Sequence, residues 1–297
     1  MELIPLTLKS KDLFKEYSLR SERVLSAYAF GNILIWKPLF EISYSVKNDS
    51  LCIFFKDAMG CFMILPPLGR TDKKTIEECF NTMRGFNGDS EVSRIENIEE
   101  SQVDLYKKNG FRIFEKSVDY IVSSEEMSAL RGDKFKHKRN LSNHFTGANE
   151  FMIRPYKNQD KQGVIELYGR WMKGRGEKNN EPVYTAMLED SRKALLEELE
   201  NFFEIDFSGY VIEIGGKVAA FSSGIPVSEK TFCINFEITD LAFKGISQYI
   251  FNFFSKEISR SYPLINIMDD SGIENIRQTK LSYKPLKSAV SYTALMK

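Results

Sequence analysis

The chain is poor in the groups that most often do enzyme chemistry. It has two histidines, His137 and His144, and four cysteines, Cys52, Cys61, Cys79 and Cys233. The histidines stand seven residues apart in one helix-like stretch, ~10 Å along its axis, so one metal cannot take both. With no third histidine, Ser-His-Asp chemistry and histidine-rich metal sites are excluded. No cysteines form a C-x-x-C pair, which argues against zinc ribbons and thioredoxin-like redox sites. Cys52, Cys61 and Cys233 sit in apolar, strand-like runs and read as core. No apolar run approaches the ~20 residues of a membrane helix. Residues 1–12 lack a charged segment followed by a long apolar one, so no signal peptide is expected and a cytoplasmic location is. Net charge is lacking too: Lys plus Arg number 41, and Asp plus Glu number 41. Proteins that wrap nucleic acid without sequence preference are basic overall. DNA is therefore not an expected partner, and any nucleic acid would meet a local patch. Catalysis must rest on carboxylates, lysines, tyrosines or backbone groups.

What is present repeats itself. The 297 residues suffice for two domains of ~150. Residues 40–56 alternate apolar and polar side chains around Asn48-Asp49 and read as a hairpin, as do residues 208–222 around Gly215-Gly216. In each half a strand-like run follows (61–69 and 231–240), then a helix-like one (71–86 and 243–259). In the second helix Ile246, Tyr249, Ile250, Phe253, Phe254 and Ile258 make one wide apolar stripe. The closing portions align at a shift of 172, which lays Ile95 on Ile267, Phe111 on Tyr283, Val118 on Val290 and Tyr120 on Tyr292. Both read strand, short helix, turn, strand. The expected architecture is α/β: two halves from an internal duplication, residues 1–150 and 151–297, with mixed sheets flanked by helices and meeting across a cleft. A basic helix over 131–147 links them, with Gly147 as its C′ glycine. A strand at 150–156 and helices over 157–175 and 181–202 follow, with an exposed polar loop at 174–182 between the helices.

Strand–helix–strand halves in this order resemble the GNAT fold in tandem. In the second half Asn266, Asp269-Asp270, Gly272, Arg277, Lys280, Ser282-Tyr283 and Pro285 spell N-x-x-D-D-x-G-x-x-x-x-R-x-x-K-x-S-Y-x-P. This resembles the closing signature of the family named for the phosphatidylglycerol lysyltransferase C-terminal domain. Phe30, Asn32 and Trp36 match its F-x-N-x-x-x-W block, and Lys138, Arg139, Asn140 and Phe145 match its basic block. The resemblance runs over nearly the whole chain. It implies a bacterial-type acyltransferase, related to Fem-type enzymes, that moves an aminoacyl group from charged tRNA to a lipid head group or small acceptor. Two departures stand out. The family's lipid-modifying members carry an N-terminal membrane portion that this sequence lacks. A Glu-Lys-Ala-Asp run expected on the central strand reads Glu237-Ile238-Thr239-Asp240, so any role of that lysine is lost.

The residues admit more than one reading each. Glu237, Asp269 and Asp270 lie at or beyond strand ends and can share one cleft, where paired carboxylates raise each other's pKa and one serves as base. Asp269-Asp270 equally suit the cap of a helix starting near Gly272. Arg277 and Lys280, three apart, clamp a substrate phosphate or carboxylate, or are solvated charge. Tyr283 donates to an oxyanion or is a core aromatic. Asn266 heads the same block. Lys134, Lys138 and Arg139 belong to the densest positive cluster, which is a phosphate patch for a tRNA acceptor stem or anionic lipid, or a solvated linker. Trp36 reads as core. Cradling a CoA pyrophosphate needs a glycine-rich loop at a helix N-terminus. Here one such loop has only Gly245, and the other has Gly69 behind two prolines. Aminoacyl-tRNA is therefore the favoured donor over acetyl-CoA. The alternatives are a CoA-dependent N-acyltransferase and a catalytically inactive ligand-binding tandem GNAT.

Overall fold

The computed structural model describes residues 1–18, 22–88, 90, 92–177, 179 and 181–296. In chain order the first half holds β1 (Ile4–Pro5), α1 (Lys11–Ser18), α2 (Phe30–Leu34), β2 (Glu41–Lys47), β3 (Ser50–Lys56), β4 (Cys61–Phe62), β5 (Leu68–Gly69), α3 (Lys73–Asn87), β6 (Arg94–Glu99), α4 (Glu100–Lys108), β7 (Arg112–Ser123), α5 (Ser124–Ala129) and α6 (Lys136–Ala148). The second holds β8 (Met152–Pro155), α7 (Lys161–Gly176), α8 (Pro182–Glu200), β9 (Ser208–Ile214), β10 (Lys217–Pro226), β11 (Thr231–Thr239), α9 (Ile246–Ile258), β12 (Leu264–Asn266), α10 (Glu274–Leu281) and β13 (Lys287–Leu295).

Turn chemistry sets both hairpins. Asn48 and Asp49 join β2 to β3 at φ 50° and 57°; Gly215 and Gly216 join β9 to β10 at 55° and 75°. Two consecutive left-handed residues are what a two-residue hairpin demands. The expected strand over 61–69 is instead two short strands. Pro66 and Pro67 stand between them and cannot donate to a ladder. The basic stretch is not one helix over 131–147. Leu130 (φ 45°) closes α5, Gly132 (φ 81°) turns the chain, and α6 then runs through Gly147 to Ala148, where the Asn149 amide caps the Phe145 carbonyl at 2.9 Å. Of the polar tract 174–182, α7 takes the start and α8 begins at Pro182; Lys178 and Asn180 lie outside the described residues.

The strands form a five-stranded sheet, β1-β2-β3-β4 with β5 on β3, and an eight-stranded sheet in the order β6-β13-β7-β12-β11-β10-β9-β8. The last strand, β13, inserts antiparallel between β6 and β7. Hydrogen bonding therefore crosses residue 150, and the large sheet is built from strands of both halves. One core cluster likewise spans both halves. At Gly31 the halves approach closely: a Cβ there would stand 2.7 Å from Ile205, Phe207 and Ile225. On α9 the apolar stripe is buried as its spacing predicts, through Ile246, Ile250, Phe254 and Ile258.

One feature of the large sheet makes room for chemistry. β11 pairs in parallel with β12 only from Thr231–Cys233 against Leu264–Asn266. Beyond that, β11 stays on β10 up to Thr239. The chain after Asn266 turns away through Met268 (φ 62°) and Ser271 (φ 52°). The strands splay, and a cleft opens between them.

Candidate active site

The cleft reaches the middle of β11. Asn235, Phe236 and Glu237 are half-buried there, whereas Cys233 and Ile238 beside them are buried. Glu237 stands opposite Ser222 of β10. Across the splay, α10 delivers Lys280, whose Nζ donates to the carbonyl of Ile267. From the other side α6 delivers Lys138. Its Nζ donates to Ser282 Oγ at 2.8 Å and sits 3.4 Å from the centre of the Tyr283 ring. Tyr283 is buried against Phe251, ring centres 4.5 Å apart.

These groups perturb one another. Burial pushes the Glu237 carboxyl up to about 7, against the opposing pull of Lys280 and Lys138. The residue borders the cleft, but its carboxyl is packed in protein. Burial lowers Lys138 to about 8; Glu237 opposes that shift and Lys284 adds to it. Burial also lowers Lys280, opposed by Asp269, Asp119, Cys233 and Glu237. Asp269 is raised by burial and by Asp119. A cleft of acids and lysines poised this way can pass a proton near neutral pH.

Six of the residues picked out in the sequence thus meet: Glu237, Asp269, Lys280, Tyr283, Asn266 and Lys138. Asn266 is fully buried and donates to Asp119 Oδ2 and to the Val24 carbonyl, each at 2.7 Å. Asp270 faces the rim: it accepts from the Tyr120 hydroxyl at 2.6 Å and from Gly272 N at 2.9 Å. It does not cap α10, whose N-cap residue is Ile273 with no side-chain bond. Arg277 is exposed, within electrostatic range of Tyr120. Lys134 and Arg139 stand apart from the cleft. Lys134 is exposed and paired with Glu126 at 2.6 Å. Arg139 turns back to the carbonyls of Leu130 and Gly132. This gives an expected contrast. Arg139→Met should lower stability by about 1–3 kcal/mol, since two carbonyls at a chain reversal lose a charged donor. Lys134→Met should change it by less than about 1 kcal/mol. Urea melts compare the two, and equal effects would refute the assignment.

A buried chain of polar groups behind the cleft escaped the sequence reading. A bulge at Ser223/Gly224 leaves Asn235 as the extra residue of β11. Its Nδ2 bonds Asn32 Oδ1 and, at 3.4 Å, Glu198 Oε2. Asn32 Nδ2 donates to the Ser26 carbonyl at 2.8 Å, and Ser26 N donates to Asp119 Oδ2 at 2.7 Å. The line runs from Glu198 on α8 to Asp119 beside Lys280. Asn32 alone carried a signal, a polar residue inside the apolar run 30–36.

The matching place in the first half is shut. There Met63 bridges Ile95 in parallel, but Asn97 (φ 51°) donates across the gap to the Ile64 carbonyl at 2.8 Å and accepts from Lys116 at 3.3 Å. At the far end of β11 an apolar groove of about 460 Å³, lined by Phe14, Phe30, Ile225 and Tyr262, holds none of the cleft residues. No described helix is long and apolar enough to cross a membrane, and no group of metal-ligating side chains occurs among the described residues.

Duplicated halves, a splayed parallel pair and a large sheet shared by strands of both halves define a tandem GNAT fold. The chain belongs to the family described as phosphatidylglycerol lysyltransferase, C-terminal, which it matches over residues 20–295. It is similar to a conserved protein of unknown function from Bacteroides thetaiotaomicron, at 25% identity over 100% of both chains and a TM-score of 0.89. L-PGS from Bacillus licheniformis shares the fold at 17% identity and a TM-score of 0.69, over 99% of this chain and 93% of that one. FemX shares it at 9% identity and 0.61, over 100% and 98%. No curated protein matches the chain in sequence.

Proposed function

We propose that the protein is an aminoacyl transferase. It takes the acyl group from charged tRNA to a hydroxyl-bearing acceptor, an anionic lipid head group or a small molecule. Glu237 is the general base, and Lys280 faces the negative charge that develops on the carbonyl oxygen. The acceptor oxygen attacks the ester carbon as Glu237 takes its proton. The carbon–oxygen bond to the ribose then breaks, and the ribose oxygen leaves with the proton returned from Glu237. The carrying observation is Glu237, raised to about 7, facing Lys280 in the splay. A base with a pKa near the working pH combines the right protonation state with driving force. Membership of the lysyltransferase family supports the reaction class.

The start of α9 argues for tRNA over CoA as donor. Gly245 precedes that helix, and a Cβ on it would lie 2.0 Å from the Leu141 carbonyl oxygen of α6. α6 therefore packs closely against the start of α9, the place where a pyrophosphate would be cradled. Incubation with radiolabelled aminoacyl-tRNA, phosphatidylglycerol vesicles or small hydroxyl acceptors tests the reading. Label should pass to an extractable lipid or a small product. Acyl transfer from acetyl-CoA with none from tRNA would replace it with CoA-dependent chemistry.

A further inference from the structure

The cleft opens because the chain leaves the sheet at Met268, and a set of buried bonds holds it there. Asn266, at the end of β12, donates from Nδ2 to the Val24 carbonyl and to Asp119 Oδ2, and accepts at Oδ1 from Met268 N at 2.6 Å. Asp119 Oδ2 also receives Ser26 N at 2.7 Å, so one oxygen takes two N–H groups, the bonding of a carboxylate. A carbonyl and a carboxylate only accept, so a single orientation of the Asn266 amide satisfies all three of its partners. That orientation aims Oδ1 at the N–H of Met268, whose φ of 62° a non-glycine residue keeps only where its surroundings hold it. Ile267, between the two, offers its carbonyl to Lys280 Nζ. Asp119 therefore holds the amide that sets the turn, and the turn seats Lys280.

Charge supplies a second route between the same two residues. Asp119 is buried on β7. Lys280 meets acids from three elements: Asp119 on β7, Asp269 on the segment after β12, and Glu237 with the Cys233 thiol on β11. Lys116 of β7 acts on Asp269 in turn. Burial lowers Lys280, and Asp119 opposes that shift. A buried ammonium is costly without a nearby negative charge. Asp119 is one of these charges and also fixes, through Asn266, the backbone to which the ammonium bonds.

We propose that Asp119 is a positioning residue of the transfer site: it holds Asn266, and through it the Met268 turn, and it faces Lys280 with negative charge. The proposal rests on the transfer reading for what Lys280 does, but the action of Asp119 on Lys280 is measured with no substrate present. The whole chain, labelled with 13C at the lysine Cε positions, is titrated by NMR; the Lys280 signal is the one that Lys280→Met removes. Asp119→Asn keeps the size and an acceptor oxygen, and loses the charge. Its Lys280 signal should titrate at a lower pH than in the wild type, whereas Asp119→Glu should return it towards the wild-type midpoint. Transfer rates between pH 6 and pH 9 give the second readout. Asp119→Asn should keep the rise through about 7 that Glu237 sets. Its deficit against the wild type should then widen with pH, up to roughly ten-fold, as Lys280 gives up its proton sooner. A deficit equal at every pH with the Lys280 midpoint unmoved makes Asp119 a brace for Asn266 alone and overturns the proposal. Absence of transfer by the wild type would sink the reading of the reaction, and the titration would still decide Asp119: a lowered midpoint supports the proposal and an unmoved one overturns it. Should the asparagine variant not fold, Asp119→Ser takes its place. A chain that folds with neither makes Asp119 a determinant of the fold and overturns the proposal equally.

Discussion

Glu237→Gln should slow aminoacyl transfer by roughly 10²–10⁴-fold, the usual contribution of a positioned general base. The substitution keeps the length of the side chain and an acceptor oxygen, and removes only the atom that takes a proton. Stability should separate this from a folding defect. The folded carboxyl titrates near 7, above its ordinary 4.5, because burial disfavours the charge. The stability it contributes is full below about 4.5 and is lost as pH rises through about 7. Glutamine removes that loss, so the variant should gain on the wild type between pH 5 and pH 8 in urea melts. The wild-type rate should climb with pH through about 7 as the base ionises. A variant that keeps its rate within a few-fold, or that unfolds at both pH values, would remove Glu237 from the chemistry.

The cleft works because unlike groups are buried together. Lys138 and Lys280 hold the Glu237 carboxyl below where burial alone would put it, and Glu237 in turn holds both lysines up. Neither lysine reaches bulk solvent freely. Lys138 is tied to Ser282 and Tyr283, the turn that ends α10. α6 thereby anchors the segment that aims Lys280. The lysine of the Glu-Lys-Ala-Asp run expected on β11 is Ile238 here, buried on the strand. The cations of this site arrive from α6 and α10.

Some of this was legible in the letters. Asn48-Asp49 and Gly215-Gly216 gave the hairpins because few residues tolerate two left-handed conformations in a row. The α9 stripe gave its buried face through period alone. Strand order was not legible: β7 and β13 correspond in sequence, but nothing in either says that they pair with each other. Lys138 read as one charge in a basic run, since inward aim depends on how α6 packs rather than on its neighbours in sequence. Glu198 was hidden for the same reason. It lies in the acidic stretch 197–200, which has the composition of a solvated helix, and only packing of α8 on the bulge of β11 buries it. Arg277 and Lys280 share a spacing but not an environment, because α10 rests on Ile267 by one edge and leaves Arg277 in solvent.

Lys280→Met should cost transfer roughly 10²–10³-fold, the scale for removing one donor that faces a developing oxyanion. Methionine keeps most of the apolar stem and loses the ammonium. Two consequences distinguish this from a structural defect. The first is stability. Burial lowers the folded pKa of Lys280 below its ordinary 10.5. Its contribution to stability is therefore full above about 10.5 and is lost as pH falls through the folded value. At pH 7 that loss is removed by methionine, which offsets the broken bond to the Ile267 carbonyl. The second is the pH profile. Lys280 is the larger of the two cationic pulls on Glu237. Without it the carboxyl titrates higher still, so the residual activity should need a more alkaline pH than the wild type. Rates of the variant between pH 6 and pH 9, with urea melts alongside, check both. A large drop in stability with an unmoved pH profile would mean that Lys280 braces Ile267 and does no chemistry. A displaced profile with the fold intact would tie its charge to Glu237, since a brace alone has no reason to change when the base ionises.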